Sequence, residues 1–349
     1  MNTFVIKSDN GGLLVGRDTS VKINCNIGAN DEYLYKKEID KLNAICDSDL
    51  WPDMFMDLSL YRGNIPLYKE IIRRVGCPVG VVPSYLFNKS VIDQEVAKDI
   101  LKRLADDGIS FITLHLTADL VLLEIAKRRK IPITSRGGAI LLSYMKQMKK
   151  EQNIWIEILP EIIDIAKTYD ITISIGATFR PASVIDACDE VHIEETKRQI
   201  ELCSMLQKEG LKVIVENVGH IDIGKISKLA GYLSQCNAPI MPLGPIATDC
   251  GMGIDHITAA IGASHMGLAN CAHIINCITA SEHTAPFFTI EESLEAIKTA
   301  RLCAHIINIA RGYEIIEDYN IYDNRAKQSR CCLNTSCNRC SNLCPLTLL

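Results

Sequence analysis

Apolar residues along the chain fall into two alternating rhythms. Short runs, Val21–Gly28, Met54–Ser59, Val79–Pro83, Phe111–His115, Ile131–Ser135, Thr172–Gly176, Lys212–Glu216 and Ala238–Leu243, each end in a polar or glycine cluster. Between them stand amphipathic stretches with helical spacing, among them Asp31–Ile45, Leu67–Val75, Gln94–Asp107, Glu161–Tyr169 and Glu194–Glu209. Strands that alternate with helices build a parallel sheet, because each helix carries the chain back over the sheet to start the next strand in the same direction. About eight such repeats predict closure into a (β/α)₈ barrel, an α/β fold. A further run, Ile274–Thr279, makes nine candidates for eight places, so one assignment is wrong or lies outside the barrel. A doubly wound open sheet is the alternative, but no Gly-x-Gly-x-x-Gly follows the first strand, which removes the dinucleotide fingerprint.

The most apolar stretch, Ile257–Ala280, is broken by His265, Asn270, His273 and Asn276 and reads as a buried helix running into a strand, with no membrane span. From Tyr313 to Arg330 the apolar rhythm stops. The expected division is therefore a barrel over 1–312, a linker over 313–330 and a cysteine-rich tail over 331–349. The 349-residue chain is 48% hydrophobic and 23% charged, enough to bury a large core. A net charge of −5 leaves no broad basic surface for nucleic acid. Met1–Gly12 has no apolar signal core, so the expected compartment is the reducing cytoplasm. There, fifteen cysteines, five of them in the last 19 residues, point to buried thiols and a metal or cluster site in preference to disulfides.

In a barrel of this kind catalytic groups sit at strand C-terminal ends, and polar residues recur there: Asn26, Asp57, Tyr85, His115, Ser135, Arg180, Glu216 and His220. Ser135-Arg136-Gly137-Gly138 follows one expected strand and opens the helical run Ala139–Met148; small residues there let backbone N–H groups approach an anion while Arg136 adds charge. A glycine turn with an exposed arginine explains the same letters. His220 and His283 each stand just beyond a strand, so barrel closure can bring both imidazoles to one mouth as ligands of a divalent metal; taken singly, each reads equally as a hydrogen-bonded loop histidine. The tail Cys337-Asn338-Arg339-Cys340-Ser341-Asn342-Leu343-Cys344 packs three thiolates into eight residues, as a [4Fe–4S] cluster with one open iron requires. Structural zinc, with Cys331 or Cys332 as fourth ligand, fits that spacing equally.

These residues, taken in order, resemble the phosphomethylpyrimidine (thiamine-pyrimidine) synthase family of radical S-adenosylmethionine enzymes from about Gly16 to Cys344. The resemblance is carried by Val21-Lys22-Ile23-Asn24-Cys25-Asn26-Ile27-Gly28, Met56-Asp57-Leu58-Ser59, Ser135-Arg136-Gly137-Gly138, Leu243-Gly244-Pro245, Thr248-Asp249 and Asp255-His256-Ile257-Thr258. It implies a (β/α)₈ enzyme that uses S-adenosylmethionine and a [4Fe–4S] cluster to rearrange 5-aminoimidazole ribotide, a phosphorylated imidazole. It also implies a homodimer whose cluster-bearing tail reaches the partner's active site, and an external electron donor. By that resemblance Asn26, Met56, Tyr85, His115, Ser135, Arg136, Gly137, Arg180 and Glu216 contact substrate. His220 and His283 bind the divalent metal, zinc or iron, and Cys337, Cys340 and Cys344 hold the cluster.

The chain departs from the family pattern at the site. Gly-Asp-Gly-Leu-Arg-Pro becomes Gly176-Ala177-Thr178-Phe179-Arg180-Pro181, which loses an acid and keeps the arginine. Glu-Gly-Pro-Gly-His reads Glu216-Asn217-Val218-Gly219-His220, a tyrosine before Leu-Gly-Pro becomes Met241, and the tail spacing is C-x₂-C-x₃-C, one residue shorter than the family's. Losing a carboxylate and a phenol removes directional hydrogen bonds, the contacts that discriminate substrates most sharply. The expectation is a divergent paralogue of the 5-hydroxybenzimidazole synthase type, serving cobamide lower-ligand synthesis. Phosphomethylpyrimidine synthase is the alternative, and a non-catalytic metal- or cluster-binding paralogue is the reading of another class.

Overall fold

The computed structural model describes residues 3–61, 63–87, 92–327 and 339–348. Among the described residues there are ten strands: β1 (Thr3–Ile6), β2 (Leu13–Gly16), β3 (Lys22–Ile27), β4 (Met54–Asp57), β5 (Val79–Val81), β6 (Phe111–Leu114), β7 (Thr172–Ile175), β8 (Val213–His220), β9 (Ile240–Ile246) and β10 (Ile274–Asn276). The last eight form one parallel sheet in the order β10-β3-β4-β5-β6-β7-β8-β9. Its two ends meet, because the His273 N–H donates to the Ile240 carbonyl at 2.9 Å and the Ile240 N–H donates to His273 Nδ1 at 2.9 Å. Burial, with the Arg311 and Arg17 cations nearby, holds His273 well below the ordinary imidazole value, so the ring stays neutral and keeps that acceptor. The fold is an α/β (β/α)₈ barrel.

Helix starts are written into the strand-to-helix turns. Asp31, Asp93, Asp119 and Asp189 each accept a hydrogen bond from a backbone N–H in the first turn of the helices Glu32–Cys46, Gln94–Asp106, Leu120–Ala126 and Glu190–Lys208. Each cap satisfies a donor that the helix itself leaves unpaired, an effect worth about 1 kcal/mol.

Two apolar layers result. The larger fills the space between strands and helices, as expected for strands buried on both faces. The smaller fills the barrel, where Met54, Met56, Phe111, Ile214, Met241 and Ile274 meet Phe4, Ile6 and Val15 from the antiparallel β1–β2 hairpin. The hairpin plugs the barrel end away from the loops that follow the strands. Gly80 makes room for the Phe111 ring, since a Cβ there would lie 2.2 Å from its ring carbons.

Ile131–Ser135 is not a strand. β6 pairs directly with β7 through Phe111↔Thr172 to Leu114↔Ile175, so the wall has no place for it. Pro132 also removes a ladder donor from the middle of the run. Ile131–Ser135 was thus the wrong candidate, and the additional run, as Ile274–Asn276, takes the eighth barrel position. Ile257–Ala280 is the helix Asp255–Leu268 running into β10, as its pattern predicts. Within 313–330 the chain forms the helix Ile316–Lys327, in which no residue is buried. Among the described residues no helix is long and apolar enough to cross a membrane.

Candidate active site

A cavity of about 570 Å³ opens where the strands end, and it gathers residues from most of the wall. Asn26, Met56, Tyr85, His115, Ser135, Arg136, Arg180, Glu216, His220 and His283 all line it. Gly137 stands directly behind the His115 ring, where a Cβ would lie 2.4 Å from Cε1. Asp57 is near the site without facing it, because its oxygens accept the Ser59 and Tyr68 backbone N–H groups at 2.8 and 2.9 Å. Cys337 lies outside the described residues. Cys340 and Cys344, both half-buried, flank a single 3₁₀ turn, Ser341–Leu343.

Ser135 caps the helix Arg136–Met148, its Oγ accepting the Gly138 N–H at 3.1 Å. The N–H groups of Arg136 and Gly137 remain without helical partners at the positive end of the helix dipole. No strand precedes this motif, contrary to expectation; the long connection after β6 delivers it to the mouth. The Arg136 guanidinium lies 5.4 Å from the centre of the Tyr85 ring. Arg180 enters from the turn after β7, where its Nη1 donates to the Ala177 carbonyl at 2.8 Å. Backbone donors and two guanidiniums around one space suit a phosphate.

Glu216 is buried on β8. Its Oε1 accepts Thr113 Oγ1 at 2.7 Å and Ser174 Oγ at 3.1 Å, while its backbone carbonyl accepts Gln199 Nε2 at 2.6 Å. Burial raises its carboxyl above the usual range, against the Thr113 hydrogen bond, the Arg180 charge and the Ser174 hydrogen bond. His115 is pushed down to about 3 by burial and by Arg180, so its ring is neutral at working pH. Its Nδ1 has no hydrogen-bond partner although it is buried. A buried ring nitrogen left unpaired in a cavity-lining residue marks the ring as a candidate for a ligand contact.

β8 bulges between Val218 and His220, with Val218 at φ 80° and Gly219 at φ 96°. A β-branched residue with positive φ is strained, and the strain here turns His220 into the mouth. His220 Nδ1 bonds Asp249 Oδ1 at 2.7 Å, His283 Nδ1 stands 3.2 Å from Asp255 Oδ1, and the two Nε2 atoms face each other at 3.3 Å. Two imidazole nitrogens bound to one tetrahedral ion at about 2.0–2.1 Å are held about 3.3 Å apart. Carboxylates behind both rings are the usual device for aiming histidine ligands. The His220 ring is kept below its ordinary value, first by burial and also by His283, which favours the neutral, ligating form. Among the described residues no group of three or more His, Cys, Asp or Glu side chains could hold a metal.

Several residues of this site carry no motif in the sequence. Thr113 and Ser174 point inward from mid-strand to grip Glu216. Asn24 Nδ2 donates to both Asn26 and Asn276 at 2.7 Å, tying β3 to β10 inside the barrel. Strand alternation does mark Asn24 and Asn26 as facing the same side, and that signal could have found the pair. Ala177 and Met241 are fully buried, and neither is among the residues lining the cavity.

The family model described as "Radical SAM ThiC family" matches residues 4–346. Curated proteins named phosphomethylpyrimidine synthase are similar over most of this chain. The protein of Carboxydothermus hydrogenoformans is 32% identical over 85% of this chain and 72% of its own length. That of Thermotoga petrophila is 34% identical over 86% and 73%, and that of Thermoanaerobacter sp. (strain X514) is 34% identical over 90% and 75%.

Proposed function

The chain belongs to the radical SAM ThiC family, and from that premise we propose that it rearranges 5-aminoimidazole ribotide by radical chemistry as a carbon–carbon lyase, with 5-hydroxybenzimidazole as product. Membership implies a [4Fe–4S] cluster and S-adenosylmethionine. When bound, the cluster supplies the electron for reductive cleavage of S-adenosylmethionine. Cys337, Cys340 and Cys344 would hold it; thiolates at both ends of one turn suit adjacent corners of a cluster.

The observation that carries the proposal is the meeting, in one cavity, of the Ser135–Gly137 cradle and Arg180 with the buried Glu216. The cradle and both guanidiniums would hold the phosphate. With Oε1 occupied by two hydroxyl donors, Glu216 turns its remaining acceptor capacity to the substrate amine. The apolar side chains of Met56 and Leu58, which line the same cavity, help exclude water. A homodimer with exchanged tails and an external reductant complete the proposed system.

The product assignment rests on Ala177 and Met241, which stand where the family has an acid and a phenol. Met241 packs in the barrel interior with Met56 and Tyr85, both cavity-lining. The names of the relatives favour the second reading, phosphomethylpyrimidine. Anaerobic incubation of the reconstituted, reduced protein with 5-aminoimidazole ribotide and S-adenosylmethionine decides by mass analysis. 5-Hydroxybenzimidazole is expected; phosphomethylpyrimidine would establish the second reading. Neither product, with no 5′-deoxyadenosine above background, would leave a non-catalytic paralogue.

His220 and His283 would hold a divalent ion, zinc or iron, that orients polar substrate groups. Metal content by mass spectrometry after dialysis should fall to background in H220A. D249N, which removes the carboxylate behind His220, should bind the ion about 10–100-fold more weakly in competition with a chromophoric chelator. Undiminished metal in H220A would remove the ion from this site.

A further inference from the structure

Arg180 is one residue past a peptide that the protein grips from both sides. Glu195, on the helix Glu190–Lys208, is 1% exposed. Its Oε1 accepts the Thr178 N–H at 2.6 Å and the Thr117 hydroxyl at 2.6 Å, and its Oε2 accepts the Phe179 N–H at 2.7 Å. The Phe179 carbonyl accepts Arg129 Nη1 at 2.7 Å, and Arg129 is locked in turn by a two-point bond to Asp189, at 2.7 and 2.6 Å. Two consecutive N–H groups turned to one point form an anion site, here filled by the protein's own carboxylate. Glu195 is not among the cavity-lining residues, so any effect on substrate passes through what it holds. It holds two site elements together, the turn that carries Arg180 and, through Thr117, the segment two residues past His115.

We infer that Glu195 is a positioning residue that sets the Arg180 guanidinium for the substrate phosphate by fixing the Thr178–Phe179 backbone. The inference deepens the ribotide reading and rests on it. Glutamine at 195 offers one acceptor oxygen where two are used, and its NH₂ would confront a backbone N–H. Losing one accepted hydrogen bond and leaving a buried donor unmet corresponds to about 10–100-fold in affinity.

The test is calorimetric binding of imidazole ribotide and of the corresponding riboside, which lacks phosphate, to reconstituted full-length wild type, E195Q, R180A and the double variant. E195Q should weaken the ribotide about 10-fold or more and the riboside less than about twofold. The double variant should bind no worse than R180A alone, because both changes act through one guanidinium. Equal losses for both ligands, or losses that multiply in the double variant, would overturn the inference. If wild type binds neither ligand, the substrate reading falls, and inorganic phosphate, measured in the same way, still decides the positioning: E195Q must weaken it as R180A does. Absence of phosphate binding by wild type would end both. Should E195Q fail to fold, E195D keeps the charge but draws the carboxylate back by one methylene, and the same selective loss is expected.

Discussion

Changing Cys340 to alanine should bring 5′-deoxyadenosine formation down by a factor on the order of 10³ or more, to background, because a lost cluster leaves S-adenosylmethionine without its electron source. The tail forms one tight turn between Cys340 and Cys344, with the Leu343 N–H donating to the Cys340 carbonyl at 2.9 Å. Such a turn serves a cluster corner or a zinc ion equally well, so the variant is read by spectroscopy as well as by activity. Wild type reconstituted with iron and sulfide should show a cubane signature by Mössbauer and EPR, and C340A should not. Cys46 ends the helix Glu32–Cys46, and burial pushes its thiol up, away from the thiolate that metals need. C46S should therefore retain both cluster and activity. Full activity in C340A, or zinc alone in wild type, would remove the radical reading.

Most of the barrel was legible because its strands are short, apolar and followed by polar residues, and register then places those residues on one rim. Met56 lies beside Asn26 in the β3–β4 pairing, and Met241 lies beside Glu216 in β8–β9. Where the rhythm misled, the cause was local. Ile131 and Ile133 alternate with Pro132 and Thr134 as a strand would, yet they belong to a connection that carries Ser135 to the cavity mouth. The β1–β2 hairpin, in which Phe4 and Ile6 alternate with Thr3 and Val5, has the same period but no helix after it, and a reading tuned to strand–helix units passed over it.

The candidate site was legible wherever a residue ends a strand or belongs to a recognised motif. What stayed hidden acts at second hand. Glu195, Gln199 and Asn217 are polar residues whose partners are fixed by tertiary packing: Gln199 Nε2 donates to the carbonyls of Glu216 and Gly176 at 2.6 and 3.2 Å, joining the ends of β7 and β8. Asn217 Nδ2 donates in turn to Gln199 Oε1 at 2.8 Å. On the helix Glu190–Lys208 the spacing of Glu195 and Gln199 reads as an ordinary amphipathic face, and Asn217 reads as one more polar residue of β8. Only the fold shows that this part of the face rests on the rim of the cavity, while Cys203 and Leu206 farther along the helix pack into the apolar core.

Glu216→Gln should lower kcat/KM for the ribotide by roughly 10³-fold, since a site built to accept a substrate N–H turns away a ligand when the acceptor becomes a donor. The change conserves volume. The glutamine oxygen can keep the Thr113 and Ser174 hydroxyls as donors, which sends the NH₂ toward the cavity, so folding survives while the acceptor is lost. The acid–base behaviour of the wild type follows with a definite sign. Burial raises the Glu216 carboxyl, so as pH falls it protonates, and the acceptor disappears, at a higher pH than for an ordinary carboxylate. Wild-type kcat/KM should therefore fall on the acid side with a midpoint above the normal glutamate value of about 4.3. Measured in the E195Q background, since burial also raises Glu195 to about 7, that acid limb should be absent from the E216Q profile. His115, pushed down to about 3, is already neutral through this range and cannot supply the limb. An E216Q enzyme within threefold of wild type, or one that keeps the same acid limb in that background, would move the amine-binding role to another residue of the cavity.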